Sequence, residues 1–573
     1  MKKIYIIGAL AVAGVAFTSC DDFLNDNRYP ESQQTVNTLF WSNTVNVQNQ
    51  INYFYNEFSG YGNRTGSGSF YWSWLSDDQC GRNQFADWTF KTVPNSSTSW
   101  SAPYVEIRRA NLIIQGVEGS TLAASDASNF LGIARLYRAL MYYQLVSRYG
   151  DVPLVKTPLD PDNEAELFGP RTPRNEVMDF VLEDLDYAVN NIAKQSSKLE
   201  FSADLAHAIK ADICLFEASY ARYHAKDDAR ATKFYGEVVK AGEAIASRYP
   251  INPDFTANYK SLRTAGGGYD GISANSEIIF AKAYEQGVFM HSIVDYSSAS
   301  DGIAGLTKDA FDDFLFLDGR PAASTTYNST DAGVWDKDTE TIDMSALFDV
   351  RDKRLSMSSY NHVCAQGAAY QYGNTASMWS MTGYGVSKYN NFTFTSEDAQ
   401  TANKGYNCAP IYWGARLYLA IAEAKAELGT LSDADVTTYI KPLWERAGID
   451  TSVLNLAWLS GLNDPKNDMN VSSLIWEIRR CRRCELLMDD NIRYWDLVRW
   501  HQLEKIAFDR NPDAGLGANI SAAPAGKIAS ATKDNYLDCS YGMPRNWNDK
   551  YYFYPVPSNQ IALNDKLTQN PGW

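Results

Sequence analysis

Apolar positions recur at three- and four-residue spacing over several long segments of the chain, a pattern that predicts helices. In residues 130–155, Tyr137, Met141 and Leu145 share one face, and a second apolar set lies beside it. An apolar stripe of this width is typical of a largely buried helix. Gly150 marks the end of that helix, because glycine is the usual residue just past a helix terminus.

The same spacing continues through residues 171–192 and then through two neighbouring segments, 202–223 and 229–250. These two segments are rich in alanine and large aromatic residues, and a short polar link around Lys226 and Asp227 separates them. They therefore predict a pair of helices that pack closely against each other.

A second helical pair is predicted in residues 413–448. Gly429 ends its first helix, and Ser432 with Asp435 forms a capping-box-like start for the second. Helix pairs with small residues at their crossings resemble tetratricopeptide (TPR) units, although no segment keeps the full repeat consensus. We expect a mainly α fold, a TPR-like helical-pair scaffold; an irregular helical bundle would use the same residues.

Between the helical parts, residues 252–407 are rich in Gly, Ser, Thr, Asn and Tyr. This composition predicts an inserted loop-rich region with a few short β-strands. We therefore divide residues 20–573 into three parts: an N-terminal helical part at 20–251, the insertion at 252–407 and a C-terminal part at 408–573. Long ordered loops on a rigid scaffold commonly carry binding residues.

The N-terminus has the pattern of an export signal. Lys2 and Lys3 precede an apolar run from Ile4 to Phe17 that is too short to span a bilayer as a permanent helix. Small residues then lead to Cys20, as in a lipobox, so residues 1–19 are the predicted signal peptide and Cys20 the lipidation site. The alternative is an ordinary secretory signal in which Cys20 is incidental.

Composition narrows the function classes. The chain has 573 residues, 45% of them hydrophobic, and a net charge of −16, which argues against a nucleic-acid or anionic-lipid partner. Beyond Cys20 the chain has an odd number of scattered cysteines, which is not a disulfide framework. Cys481 and Cys484 have the spacing of a redox pair, but they lie in a helical pattern that favours a structural role.

No motif indicates catalysis. The chain lacks a His-Glu-x-x-His pair, a Gly-x-Ser-x-Gly elbow and a phosphate-binding glycine loop, and its five histidines are far apart. We expect no enzyme activity, no metal site and no cofactor other than lipid on Cys20; a structural calcium ion is not predicted. A glycoside hydrolase remains an alternative, because two suitably spaced carboxylates would be sufficient.

Four separated motifs carry a family resemblance. They are "DDFL" after Cys20, "RLYRALMYYQLVSRYGDVPLV" at 135–155, "RRCELLMDDNIRYWDLVRW" at 482–500 and "YYFYPVPSNQIALNDKLTQNPGW" at 551–573. Together they resemble the SusD/RagB family of outer-membrane nutrient-binding lipoproteins. One departure is the stretch from Asp489 to Ile492, which is one residue longer than the family's usual sequence.

The resemblance implies a surface-exposed lipoprotein that binds oligosaccharide or polysaccharide and delivers it to a SusC-like TonB-dependent transporter. It also implies a lid that closes over the transporter. Asp21 and Asp22 resemble the tag that sends such lipoproteins to the outer face of the outer membrane. A peptide-binding, RagB-like member of the same family is the alternative.

The third motif contains Glu485, Arg493, Asp496 and Arg499. The last three are three residues apart, so we expect an ion-pair ladder on one helical face that reaches Glu485. Such a ladder fixes helix packing, and carboxylates held between guanidinium groups are poor general acids.

A sugar site needs flat aromatic faces and forked polar groups. The N-terminal aromatic and polar segment supplies the first-rank candidates, and the middle region supplies the others. The predicted ligand-binding residues are Trp88, Trp100, Asp78, Arg82, Asn83, Tyr296 and Trp335, with Trp379 and Tyr384 also considered. Trp72 and Trp74, at period two, indicate a half-buried strand or turn instead. The alternative is that most of these side chains pack in the core.

Overall fold

The computed structural model describes residues 38–62, 76–81, 92–160, 162–193, 197–254, 262, 272–294, 304–368, 370–371, 377–391, 394–540, 542 and 544–573. The helices of the N-terminal part are α1 (Thr38–Trp41), α2 (Thr44–Ile51), α3 (Thr98–Glu118), α4 (Ala124–Tyr149), α5 (Glu164–Leu167), α6 (Arg174–Asn191), α7 (Ala203–Tyr220) and α8 (Asp228–Ala246). A 3₁₀ segment, Asn52–Glu57, follows α2, and a π-helical turn, Ala221–Ala225, follows α7.

The remaining helices are shorter on average. In the loop-rich region they are α9 (Lys308–Asp312), α10 (Ser345–Phe348), α11 (Lys353–Ser358) and α12 (Ser396–Gln400). In the C-terminal part they are α13 (Gly414–Glu427), α14 (Asp433–Asp435), α15 (Lys441–Arg446), α16 (Leu456–Gly461), α17 (Ser473–Glu485), α18 (Ile492–Arg499) and α19 (Ser558–Leu563).

The predicted helix boundaries follow from their capping residues. Gly150 ends α4 with a φ of 72°, a conformation that costs glycine little. The Ser202 side chain accepts a hydrogen bond from the Leu205 amide at the start of α7. Ser432 and Asp435 form the capping box that the sequence predicted.

The long helices pack in pairs: α3 on α4, α4 on α6, α7 on α8, and α8 on α13, which lies much later in the sequence. The α8/α13 crossing requires a small residue, because a Cβ at Gly242 would lie 2.5 Å from the Ile421 side chain. Large apolar side chains such as Phe234 and Leu417 are buried in one continuous core. The prediction of a mainly helical, TPR-like scaffold is confirmed.

Strands are short and all pair antiparallel. They are β1 (Gln79–Gly81), β2 (Ile278–Lys282), β3 (Ala304–Leu306), β4 (Val334–Asp336), β5 (Thr341–Asp343), β6 (Tyr370–Gln371), β7 (Ser377–Met378), β8 (Ala409–Trp413), β9 (Leu516–Asn519), β10 (Thr532–Lys533) and β11 (Tyr536–Asp538). The pairs are β1 with β3, β2 with β8, β4 with β5 and β6 with β7, while β11 lies between β9 and β10. Because α13 begins directly after β8, the β2/β8 pair fastens the loop-rich region to the helical scaffold.

The seven cysteines after Cys20 are all buried, and none of them forms a disulfide bond within the part of the chain that the structure describes. Cys481 and Cys484 lie inside α17, as the helical pattern predicted, and burial raises the pKa of both thiols. Among the described residues, no helix has both the length and the apolar content needed to cross a membrane. In the same residues, no group of three or more His, Cys, Asp and Glu side chains is arranged to hold a metal ion.

Candidate functional site

Several predicted site residues lie outside the described part of the chain. They are Cys20, Arg82, Asn83, Trp88 and Tyr296, together with Trp72 and Trp74. Ligand binding by Arg82, Asn83, Trp88 and Tyr296, and lipidation of Cys20, therefore stay predictions. The structure does place Trp100, Asp78, Trp335, Trp379 and Tyr384.

Trp100 lies in the first turn of α3 and is only 4% exposed. Its ring packs edge-to-face against Tyr149, with centroids 4.9 Å apart, and contacts Tyr104 at 5.8 Å. A sugar ring requires an open aromatic face, which Trp100 lacks in this structure. The expectation that Trp100 contacts ligand is therefore corrected: it is a core residue.

Asp78 requires the same correction. It is fully buried, and its Oδ1 accepts a hydrogen bond from Nε of Arg483 at 2.8 Å. The carboxylate is therefore turned into the protein and supports the position of β1, where it has no access to a ligand.

The candidates of the middle region differ in exposure. Tyr384 is buried and stacks on Phe311, with ring centroids 4.1 Å apart, so its ring faces the core. Trp335 is half-buried on β4, opposite Ile342 of β5, and Trp379 is also half-buried. Trp335 is not fully buried, although it packs against the core, and it stays a predicted ligand contact.

The pairing of β1 with β3 brings two candidate segments to a common base. Gln79 lies opposite Leu306, and Gly81 lies opposite Ala304. Residues 82–91 continue the chain directly from Gly81, and residues 295–303 lead directly into Ala304. The segment that carries Arg82, Asn83 and Trp88 and the segment that carries Tyr296 are thus attached at the same end of one small sheet.

Two arginines of the C-terminal part hold this sheet in place. Arg493 of α18 makes a bidentate contact with Asp77, with both N–H···O distances at 2.8 Å. Arg483 of α17 donates to Asp78 at 2.8 Å and to Asp313 at 2.6 Å. A bidentate guanidinium pair fixes orientation as well as distance, so the base of the two segments is geometrically defined.

The buried network beneath the sheet joins carboxylates of the N-terminal and middle parts of the chain to cations of the C-terminal part. Four carboxylates, Asp77, Asp78, Asp309 and Asp313, lie within ion-pair distance of three cations, Arg483, Arg493 and Lys466.

Burial raises the pKa of Asp78 to about 6, with Arg483 opposing the shift, and its Oδ2 has no hydrogen-bond partner among the described residues. The pKa of Asp309 is instead held well below its usual range, because Lys466 and Arg483 outweigh its burial. These groups are buried, and their ion pairs support the position of β1.

The predicted ion-pair ladder is confirmed only in part. Arg499 donates to Asp496 at 2.8 Å, as expected. Arg493, however, turns to Asp77 and not to Asp496. The other guanidinium on Asp496 belongs to Arg482, at 2.7 Å.

Glu485 is also bound differently from the prediction. It pairs with Arg446 and with Arg354, the latter at 3.1 Å. The sequence suggested only neighbours on α17 and α18, whereas these partners come from α15 and α11.

Sequence reasoning missed the roles of Asp77 and Arg483. The Ser-Asp-Asp stretch at 76–78 does not reveal its partners, and Arg483 stands out only as part of a family motif. The available signal was that four of the five residues at 479–483 are arginines. So many cations on a helix that is otherwise buried require acidic partners from elsewhere in the fold.

Comparisons with known proteins agree with this architecture. The model of the SusD family matches residues 248–573. A second model, described as "Starch-binding associating with outer membrane", matches residues 22–215.

Two curated relatives are similar over limited segments. A SusD-like protein of Bacteroides ovatus is 31% identical over 140 residues, covering 23% of this chain and 25% of the relative. SusD-like protein P38 of Formosa agariphila is 34% identical over 132 residues, covering 22% of this chain and 25% of the relative. The aligned part of the chain thus spans about a quarter of the length of each of these curated relatives.

Solved structures match over almost the whole chain. A SusD-like protein of Bacteroides fragilis aligns with a TM-score of 0.65 and 22% identity, covering 96% of this chain and 99% of that one. A SusD-like carbohydrate-binding protein of the same organism gives 0.66 and 18%, covering 92% and 100%. A laminarin-binding SusD-like protein gives 0.54 and 18%, covering 92% and 99%. These likenesses concern the fold, and since the SusD model matches more than half of the sequence, the chain belongs to the SusD family.

Proposed function

We propose that this protein is a surface-exposed outer-membrane lipoprotein that binds oligosaccharide or polysaccharide and delivers it to a SusC-like TonB-dependent transporter. The family match supports the binding role, and the description of the second matching model supports the link with starch and with the outer membrane. The names of two structural neighbours, one carbohydrate-binding and one laminarin-binding, are consistent with a glycan ligand.

The observation that carries the proposal is the common base of two candidate segments. The first segment, residues 82–91, contains the indole of Trp88, the guanidinium of Arg82 and the amide of Asn83. The second segment, residues 295–303, contains the phenol of Tyr296. The two segments attach at neighbouring ends of β1 and β3. Binding residues on segments that a rigid scaffold positions are a common arrangement in binding proteins. Trp88 would supply a stacking face, and Arg82 and Asn83 would bind sugar hydroxyls.

On this proposal the protein binds its ligand and releases it unchanged, without a cofactor. The carboxylates of the network beneath β1 are buried and ion-paired, so they are not available to protonate a glycosidic oxygen. A surface glycoside hydrolase would instead release shorter oligosaccharides from a bound glycan, which product analysis of the purified protein detects.

Binding is tested with the chain lacking residues 1–20, on an array that includes laminarin, starch and short peptides. Trp88→Ala and Tyr296→Ala are then compared with the parent by calorimetry on the best glycan. Loss of one stacking face should weaken binding about tenfold or more, with unchanged melting. Tyr53→Ala, which removes an exposed ring on the helical part, is the matched control. Retention of peptides alone would establish the RagB-like alternative, and parent-like affinity in both variants would exclude this site.

Anchoring is tested separately. Cys20→Ala should release the protein from membranes, because the lipid is the proposed anchor. Changing Asp21 and Asp22 to alanine should leave lipidation intact but reduce protease sensitivity on whole cells. A Cys20→Ala protein that stays in the membrane fraction at high salt would contradict the lipoprotein proposal.

A further inference from the structure

A cleft of about 310 Å³ lies among six parts of the fold. It is bounded by the end of the 3₁₀ segment at Glu57, by α4, by α7, by β8 with the start of α13, by Arg482 of α17, and by the segment from Asp490 into α18. Its volume is at the lower end of the range for small-molecule sites, about 300–1,000 Å³. None of its lining residues belongs to β1 or β3, the strands that form the base of the proposed glycan site.

Most charges in the cleft wall are paired with each other. Arg416 lies 2.5 Å from Asp212 and 3.6 Å from Asp490. Asp496 lies between Arg482 and Arg499, at 2.7 and 2.8 Å. These groups fix the walls and leave little unbalanced charge for a ligand.

Arg148 and Glu57 are the exceptions. In the described part of the chain, no carboxylate lies within 4.0 Å of the Arg148 guanidinium, and no cation lies within 4.0 Å of the Glu57 carboxylate. Both are tied to one residue of α4: Nη1 of Arg148 donates to the Gln144 carbonyl at 3.0 Å, and the Gln144 side-chain amide donates to Glu57. The cleft therefore presents one cation and one carboxylate without a contact ion pair, both positioned by Gln144. Burial raises the pKa of Glu57, and Arg148 is close enough to oppose that shift.

The aromatic rings of the cleft are not arranged for sugar stacking. The Arg148 guanidinium lies over the Trp495 ring at 5.0 Å from its centroid, and Arg416 lies over the Tyr412 ring at 4.4 Å. Phe216 is 3% exposed, with the Tyr143 ring edge-on at 5.3 Å. With guanidinium groups over two of its rings, the cleft offers apolar edges but few open faces for a pyranose.

We propose that this cleft binds a free α-amino acid. The α-carboxylate would lie on Arg148, which retains unused N–H donors, and the α-ammonium on Glu57, while an apolar side chain would contact Tyr143 and Phe216. A ligand with both charges compensates both groups, whereas a neutral sugar would leave them desolvated and unpaired. This proposal does not depend on the proposed glycan site.

The test measures thermal shift and calorimetric binding of L-phenylalanine, L-leucine and L-glutamine to the chain lacking residues 1–20. Saturable binding is expected, with Arg148→Gln and Glu57→Gln each weakening it about tenfold or more. Phenylalanine amide and N-acetylphenylalanine each lack one of the two charges and should bind as weakly as the variants bind phenylalanine. Glycan binding should be unchanged in both variants, which separates this site from the proposed glycan site.

Arg135→Gln on the same helix and Glu118→Gln on α3 are matched controls, because they remove partly exposed charges that do not line the cleft. If Arg148→Gln melts early, Arg148→Lys replaces it; this keeps the charge without the fork and should still weaken binding severalfold. The proposal is overturned if none of the three amino acids binds at millimolar concentration, if both cleft variants bind like the parent, or if a glycan occupies the cleft instead.

Discussion

Arg483 donates its Nε proton to Asp78 at 2.8 Å, across 405 positions of sequence. Asp78 immediately precedes β1, the strand at the base of the proposed glycan-binding segments, and Arg483 lies on α17 in the C-terminal part. The family's C-terminal motif thus has a structural role that its sequence does not reveal. It fixes the N-terminal strand to which the candidate binding residues are attached.

Replacing Arg493 by alanine should destabilise the protein by about 3–5 kcal/mol, because Asp77 would stay buried without its bidentate partner. Thermal or urea unfolding measures this loss. Arg510→Ala is the control, since Arg510 is 58% exposed and its contact with Asp509 is a surface pair. A parent-like melting temperature for Arg493→Ala would show that the pair does not hold β1.

Asp78→Asn tests the raised pKa of Asp78 beneath β1. The folded protein binds a proton at Asp78 below about pH 6, whereas the unfolded chain does so only near 3.8. This group therefore favours folding at low pH, and that contribution is lost as pH rises through 6. Parent stability relative to Asp78→Asn should fall by about 1–3 kcal/mol between pH 4 and pH 7. A pH-independent difference between the two proteins would refute the assignment.

Trp100→Ala should cost about 3–5 kcal/mol of unfolding free energy, because it removes a buried indole from its contacts with Tyr149 and Tyr104. Trp88→Ala is the informative comparison, since that position is proposed to contact ligand. Where the folded fraction is equal, Trp100→Ala should bind glycan like the parent. A stable Trp100→Ala protein with reduced affinity would return Trp100 to the ligand site.

His291 should make the fold sensitive to acid. Its Nε2 bonds to the Asn407 carbonyl at 2.8 Å, and burial lowers the pKa of the imidazole to about 3. The unfolded chain takes up this proton near pH 6.5, so the contribution of His291 to stability is lost as pH falls from about 6.5 toward 3. In His291→Gln, the unfolding free energy that is lost between pH 7 and pH 4 should be smaller than in the parent by about 2–3 kcal/mol. Identical pH profiles would contradict this.

The helical scaffold was predictable because its signals are local. The apolar stripe of α4, its end at Gly150 and the capping box at Ser432 each depend on residues within a few positions of one another. The structure agrees at each of these points. The bounds of the three predicted parts of the chain remain a prediction.

The candidate site was less accessible to sequence reasoning because its contacts are long-range. Trp100 sits among polar neighbours in sequence, yet tertiary packing buries it against Tyr149. Arg493 and Asp496 are three apart on one helix, but the stronger geometric partner of Arg493 is Asp77, 416 positions away. Spacing along a helix identifies which of its side chains can contact each other. It does not show whether an acid from another part of the fold is the better partner.

The β1/β3 pairing has a consequence for the order in which the protein folds. Local contacts such as those within α7 and α8 form early, whereas β1 needs a partner 225 residues later, and Asp78 needs Arg483 later still. The proposed binding face would therefore assemble last, after the C-terminal helices are in place. A chain truncated before α17 could retain much of its helical content and still present no ordered base for ligand, so capture of a nutrient would report that folding is complete.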